Sequence, residues 1–460
     1  MLNRKTRRRA TQLGNAVRCG AFPLALGMSM LWTVSARSDP TLPTIPNNTF
    51  NVTSYGAVGN DSTNDTTAIQ NAINAANTAG GGTVLISGAD NIGSSFLCGP
   101  LTMLSNVNLE VNGELAMLPY GTYPNNNSVG TNFINGSHIS NVEVSGTGVI
   151  NGQGAPWWSA YEASNFARPQ MVAFQNSSIV EVQGLTLVNP PNTHLNFNAC
   201  SNVTVNGVTI NTTSSSPNTD GIDISAQNAL IENSSISDGD DNIAIGGDSL
   251  SSNITISNDT FGSGHGCSIG SFTDGGAGGI GLNGLTVTNC TFNGTDNGIR
   301  LKSAVGRGGV VENLTYSNLT MTNVPTPISI ESYYPNVPSS AASSPSGAGM
   351  SEEPTWKNIS FSNVTSVDNN SGANEGILWG LPDIPISNVS FDNVDLTAAL
   401  GMEINFATGV SFENSKINIG STYDAQYTVS VPEPASSFAL IVAAATSLLT
   451  TRRWCRRLAD

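Results

Sequence analysis

Charged side chains are scarce in this chain, 11% of 460 residues, with 17 lysines and arginines against 33 acids. The few basic groups crowd the ends: residues 1–36 hold six and no acid, and residues 431–460 hold four arginines and two acids. Between them, residues 37–430 keep seven basic and 31 acidic side chains, a net charge of −24. So acidic a body excludes nucleic acid as a partner, because a phosphate backbone must be met by many Lys and Arg. Cysteine is also sparse. With Cys19 and Cys455 at the ends, the body keeps Cys98, Cys200, Cys267 and Cys290, too few for a disulfide scaffold and without the Cys-x-x-Cys spacing of a zinc site. Low charge with 48 glycines would suit disorder, but 38% hydrophobic residues, many of them Val and Ile, are enough to bury a core.

The two ends read as processing segments. A basic run from Arg4 to Arg9, an apolar stretch from Ala21 to Val34 and the small residues Val34-Ser35-Ala36 make residues 1–36 a secretory signal cleaved after about Ala36. The apolar stretch is short for a membrane helix and holds Pro23. At the other end, Val431-Pro432-Glu433-Pro434 precedes the mostly apolar segment Ala435 to Leu449, and Arg452-Arg453 and Arg456-Arg457 follow. Residues 431–460 thus resemble the Pro-Glu-Pro C-terminal sorting signal of Gram-negative bacteria: the tripeptide, one transmembrane segment and a basic tail. The resemblance implies an exosortase-type processing enzyme and the membrane as partners, with an extracellular or cell-surface destination and a tether to the membrane before C-terminal processing. By itself the segment would make a marginal membrane helix with its basic end inside.

What the body does have is repetition. Asn202-Val203-Thr204-Val205-Asn206-Gly207-Val208-Thr209-Ile210 returns as variants led by Asn228, Asn253, Asn313, Asn358 and Asn388, with a weaker copy beginning at Gly284. Each copy alternates apolar and polar residues with period two, which makes a strand with one buried face, and Asn, Gly and Ser mark the turns. Strands so short cannot bury an apolar face alone, so repeats of roughly 20 to 30 residues must stack into a solenoid. The expected fold is all-β, a parallel β-helix; a sandwich has no reason to repeat one strand pair, and a propeller blade needs about 40 residues. Asp65 is expected to cap a helix whose Ala68, Ile69, Ala72, Ile73 and Ala76 share one face, ending at Gly80-Gly81-Gly82 before a strand from Thr83 to Ile86. Such a helix would plug the first coil, where strand edges are otherwise open.

Four polar clusters fall about one coil apart: Asn218-Thr219-Asp220, Gly239-Asp240-Asp241, Gly264-His265-Gly266 and Arg300-Leu301-Lys302. A single Asp in a solenoid is most often a turn residue. An adjacent pair one coil from a third is not, since stacked coils sit about 4.8 Å apart and would bring three carboxylates, an imidazole and two cations to one patch. Crowded carboxylates raise at least one pKa and leave a proton to donate, and acid plus base carboxylates are what glycosidic cleavage needs. Arg300 and Lys302 alternate on a strand and so project together, which points to an anionic ligand.

In order and spacing these clusters resemble glycoside hydrolase family 28, the polygalacturonases, over residues from Phe50 to about Phe406. Tyr55-Gly56-Ala57, the Gly-rich turn at Gly80, Gly99-Pro100-Leu101, Asn151-Gly152-Gln153-Gly154 with Trp157-Trp158, and Arg168-Pro169 support the likeness. The resemblance implies a right-handed parallel β-helix with a short N-terminal capping helix over residues 37–430, acting on acidic polysaccharide (pectin or polygalacturonate) as a monomer with no cofactor and no metal. It makes Asp240 the general acid, while Asp220 and Asp241 orient and deprotonate water, with inversion at the anomeric carbon and carboxyls roughly 6.5 to 9.5 Å apart. His265 would tune the acid, and Asn218, Arg300, Lys302 and Tyr334 would bind substrate, with Tyr333 an alternative to Tyr334. Asn242 stands where many members have Cys, so the fungal disulfide near the site is missing; Cys267 and Cys290, about a coil apart, are expected to remain thiols. The alternatives are a rhamnogalacturonan or xylogalacturonan hydrolase of the same fold, or a non-catalytic surface β-helix adhesin, which would leave the polar clusters unexplained.

Overall fold

A computed structural model describes residues 39–88, 95–124, 131–246, 249–272, 281–347, 353–423 and 425–430. The segments expected to carry the export signal (1–36) and the C-terminal sorting signal (431–460) lie outside them. Among the described residues no helix is long and apolar enough to cross a membrane.

The body is a right-handed parallel β-helix, as expected. Its strands pair in register from coil to coil, and longer ones such as Leu195–Asn206 bend round a corner where their register shifts between Phe197 and Cys200. Three faces result. One stacks Ile222, Ile243, Cys267, Ile299 and Ile328; the second stacks Val205, Ile231, Ile256 and Val287; the third stacks Ile210, Ile236, Phe261 and Phe292. These inward side chains are all buried and form one continuous core. In the later coils the second face becomes aromatic: Tyr316, Phe361, Phe391 and Phe412 lie with centroids 4.9, 5.1 and 5.0 Å apart and planes within 11° of parallel.

The leading asparagines turn out to be corner residues in the left-handed region, with φ of +51° at Asn202, +63° at Asn228 and +57° at Asn358. Asn tolerates this conformation better than other side chains that carry a Cβ. Each amide donates to the one a coil before: Asn228 to Asn202 at 2.7 Å, Asn253 to Asn228 at 2.8 Å, Asn313 to Asn283 at 2.9 Å and Asn358 to Asn313 at 3.2 Å. In the weak copy Gly284 takes the corner position itself, at φ +87° and level with Asn253 and Asn313, and the neighbouring Asn283 supplies the amide oxygen that Asn313 reaches.

The expected helix is α1, Thr66–Thr78, with Ile69, Ala72, Ile73 and Ala76 buried against the first coils, and the strand after it is Gly82–Ile86. Asp65 precedes it but does not cap it through its side chain; the carboxylate accepts instead from Val58 N (2.8 Å) and Gly59 N (3.1 Å) in the preceding loop. A second helix, α2, Ala155–Ser164, was not foreseen; it is anchored by buried Trp157 against Tyr120 and Tyr123. Cys98, Cys200, Cys267 and Cys290 are buried free thiols.

Candidate active site

The polar clusters occupy the corners that feed the first face. Backbone bonds from Gly221 N to Asp241 O (3.0 Å) and from His265 N to Asp240 O (2.7 Å) bind successive coils there. The register puts Asp220 opposite Asp241, one residue from the pairing that the 20-residue spacing to Asp240 suggests. His194, wholly buried, holds the carbonyl of Asp220 through Nδ1 (3.0 Å) and accepts from Thr212 at Nε2 (2.8 Å). Burial lowers its pKa to about 4, so it is a neutral structural histidine.

Asn242 fills the place of the absent cysteine: its Nδ2 donates to Asp238 (3.0 Å) and Ser263 O (2.8 Å), and its Oδ1 accepts from Gly266 N (2.9 Å). Gly264, at φ +133°, must stay glycine, because a Cβ would lie 2.3 Å from Asn242 Nδ2.

Asp241 is the anchor. It is buried and receives Lys302 Nζ at 2.6 Å and Ser268 Oγ at 2.7 Å, with Arg300 Nη1 at 3.7 Å and His265 Nδ1 at 3.6 Å. Burial pulls its pKa upward, but His265, then Lys302 and Ser268, overrule it and hold it at about 2. Asp240 is more open, its side chain 24% exposed. It lies 3.1 Å from His265 Nδ1, a contact of ion-pair distance without hydrogen-bond alignment, and accepts from Asn218 Nδ2 at 3.3 Å. The two carboxylates raise His265 to about 9, making it an imidazolium at neutral pH. Asp220 goes the other way: burial first, then the charges of Asp223, Asp240, Asp241 and Asp238, push it well above the carboxylate range. The expected separation of carboxyls into permanently charged and proton-holding members is therefore present.

Arg300 and Lys302 face the ring of Tyr334, with Cζ and Nζ 5.3 and 5.1 Å from its centroid. Tyr333 is ruled out as their partner, since it is buried with its hydroxyl donated to Pro345 O at 2.8 Å. Lys302 is only 6% exposed, so of the two cations Arg300 is the better placed to meet a ligand.

Sequence reasoning missed several acids here. Asp223, on the outward side of strand Ile222–Glu232, accepts from Thr193 Oγ1 at 2.8 Å, and Asp238 lies under Asn242. Asp296 stands 3.5 Å from His265 Nε2. The signal for Asp223 was its alternation with Ile222 and Ile224, which turns it to the same face as Arg300. Asp220 and Asp223 open onto a cavity of 430 Å³ on the N-terminal side of the aspartates. The ligand atoms of Asp240, Asp241 and His265 lie within 4.8 Å of one another, a spacing a metal ion would fit, but Lys302 already occupies Asp241.

A cleft on a parallel β-helix that pairs a permanently ionised carboxylate with proton-bearing ones, beside a cation, defines a glycosidase of the acid–base kind. The model for glycosyl hydrolases family 28 matches residues 83–417, and the chain belongs to that family. It is 33% identical over 374 residues to an endo-polygalacturonase from Pectobacterium carotovorum subsp. carotovorum, covering 75% of this chain and 87% of that one. A polygalacturonase from Juniperus ashei is 32% identical over 363 residues, 76% of this chain and 68% of that one. The solved polygalacturonase of Erwinia carotovora ssp. carotovora superposes with a TM-score of 0.62 at 28% identity, covering 86% of this chain and all of the other.

Proposed function

We propose that this polygalacturonase-like enzyme is exported and hydrolyses α-1,4-galacturonosyl bonds of pectin with inversion, without a metal. The observation that carries the reading is the junction of Asp220, Asp240 and Asp241 with Arg300 and Tyr334, an acid–base centre beside a cation that suits a uronate carboxylate. Asp240, more open than the buried Asp241, protonates the leaving glycosidic oxygen. His265, at 3.1 Å and protonated below about 9, tunes that acid and binds sugar. Asp241, ionised at every working pH, takes the proton of the attacking water, and a weak base suffices because the water grows acidic as its bond to the anomeric carbon forms. Asp220 orients that water, and Asn218 steadies Asp240. The ends of the sequence support export to the surface or exterior of a Gram-negative cell and a membrane tether before exosortase-type processing; the mature enzyme acts as a monomer.

The test is reducing-sugar release from polygalacturonate by the purified protein with EDTA present, beside Asp240→Asn. Activity in the first and a loss of roughly a thousandfold or more in the second are expected. A folded wild-type protein that releases nothing would overturn the substrate, and activity abolished by EDTA would overturn the metal-free mechanism.

A further inference from the structure

The described residues contain six cations: Arg168, Arg300, Lys302, Arg307, Lys357 and Lys416. Lys357 and Lys416 are paired on other faces, with Glu312 at 3.0 Å and Asp395 at 3.4 Å. Arg300, Lys302 and Arg307 all come from coils on the C-terminal side of Asp241. The N-terminal side has Arg168 alone, and three of its five N–H groups are committed within the protein. Nη1 donates to Pro191 O (2.8 Å) and Pro217 O (2.7 Å), Nη2 donates to Asn218 Oδ1 (2.9 Å), and the ring of Tyr161 lies 3.8 Å from Cζ. The rest of the cavity wall is uncharged except for two acids. Gln170, Asn192 and Thr193 offer amide and hydroxyl groups, while Asp220 and Asp223 are the carboxyls.

The cleft is therefore electrically lopsided about the aspartates. A free uronate placed over Arg300 meets a cation; the same group in the cavity meets two acids against one cation, Arg168, which is 6% exposed and held by the protein's own carbonyls. Burial lifts Asp223 to about 6 and, with the neighbouring acids, holds Asp220 well above the usual carboxylate range, so in mild acid both acids keep their protons, and toward neutral pH Asp223 ionises. Once Asp223 is ionised, the wall costs less for a sugar without a charge than for a carboxylate, by the ordinary repulsion of like charges in a partly dry site.

Resting on the pectin-hydrolase reading, we propose that this cavity receives an uncharged glycosyl residue, with its carboxyl esterified or absent, while the Arg300 side holds a free uronate. The enzyme would then cut where ester-bearing and free galacturonates adjoin.

The experiment compares polygalacturonate with randomly half-methyl-esterified pectin at pH 6.5, using the full chain, and maps esters at the two new chain ends by mass spectrometry after cleavage in ¹⁸O-water. The expected results are a kcat/KM on the half-esterified polymer roughly three- to tenfold above that on polygalacturonate, and one new end enriched in ester and the other in free acid. In Asp223→Asn, which keeps an oxygen for Thr193, the ratio between the two polymers should fall toward one. A rhamnogalacturonan arm distinguishes an esterified from a carboxyl-free occupant. Cleavage with esters equally frequent at both ends, or a ratio unmoved by Asp223→Asn in a protein with wild-type melting temperature, would overturn this inference and leave the pectin-hydrolase reading standing. No cleavage of any of these polymers would overturn both.

Discussion

Two outward faces of the same coils make an instructive pair. On the second face the outward column runs Thr204, Leu230, Thr255, Thr286, Thr315, Ser360, Ser390, nearly one residue type repeated. On the first face the column at equivalent depth runs Asn196, Asp223, Ala244, Ser268, Arg300, Ser329, Ile377, and no residue but Ser occurs twice. Backbone register and spacing are the same, so the fold does not demand the variety. A repeating column shares its interactions between like neighbours and adds stability in small increments. A column that changes at every coil gives each side chain a different partner, as Lys302 has Asp241 and Thr193 has Asp223. Chemistry sits where the repeat is broken.

The sharpest way to test that division is to remove a partner on each face. Lys302→Met should act on both stability and rate, because it strands the buried Asp241 charge that Lys302 meets at 2.6 Å. Breaking such a pair from one side costs about 3–5 kcal/mol, and with Asp241 held low by His265 and Ser268 without Lys302, kcat on polygalacturonate should fall roughly a hundredfold. Thermal melting and initial rates read the two effects. A raised KM with unchanged melting temperature would instead make Lys302 a simple surface ligand for substrate.

On the repeating side, Asn358→Ala removes a ladder amide that donates to Asn313 at 3.2 Å and accepts from Asn388 at 3.1 Å, and it leaves alanine at φ +57°. Partly exposed hydrogen bonds and the left-handed backbone together should cost about 2 kcal/mol, with kcat per folded molecule unchanged. Asn358→Gly should recover the backbone part, so that it melts between the two. A change in kcat from either variant would blur the line between scaffold and site.

The same contrast explains what could be read in the sequence. The repeat was legible because each coil restates it, and Asp220, Asp240, Asp241 and His265 were legible because their clusters recur at coil spacing. Asp223 was not, since an outward Asp between two isoleucines reads like any solvated strand residue until the neighbouring coils surround it. The one-residue slip that sets Asp220 against Asp241 depends on how tightly each corner turns, which spacing alone does not convey. Asp65 was assigned by a local capping rule, whereas the loop at Val58 and Gly59 competes for its carboxylate and wins. Helix α2 escaped because Trp157 is its only buried residue, too little to leave an apolar stripe.

The smallest expected effect separates the two regions by pH. Away from the site, burial lifts Glu181, Asp259 and Glu375 each to about 7, and within the cavity it lifts Asp223 to about 6. A carboxyl whose folded pKa is raised holds its proton more tightly than the unfolded chain does. Its stabilisation is full below the unfolded value near 4 and is lost as pH rises through the folded value. His265 follows the same sign in a later window: its contribution is whole below about 6.5 and is lost as pH approaches 9. Asp241 runs opposite, contributing above about 4 and losing that only toward 2. Melting temperature should therefore fall from pH 4.5 to 7 because of the buried carboxyls and fall again from pH 7 to 9 because of the site histidine. Asp259→Asn removes one scaffold carboxyl, wholly enclosed beside Ser234 at 2.7 Å. It should flatten the first decline by about 2 °C, on the order of 1 kcal/mol, and leave the second untouched. A variant that flattened the second decline instead would mean that the two regions titrate as one.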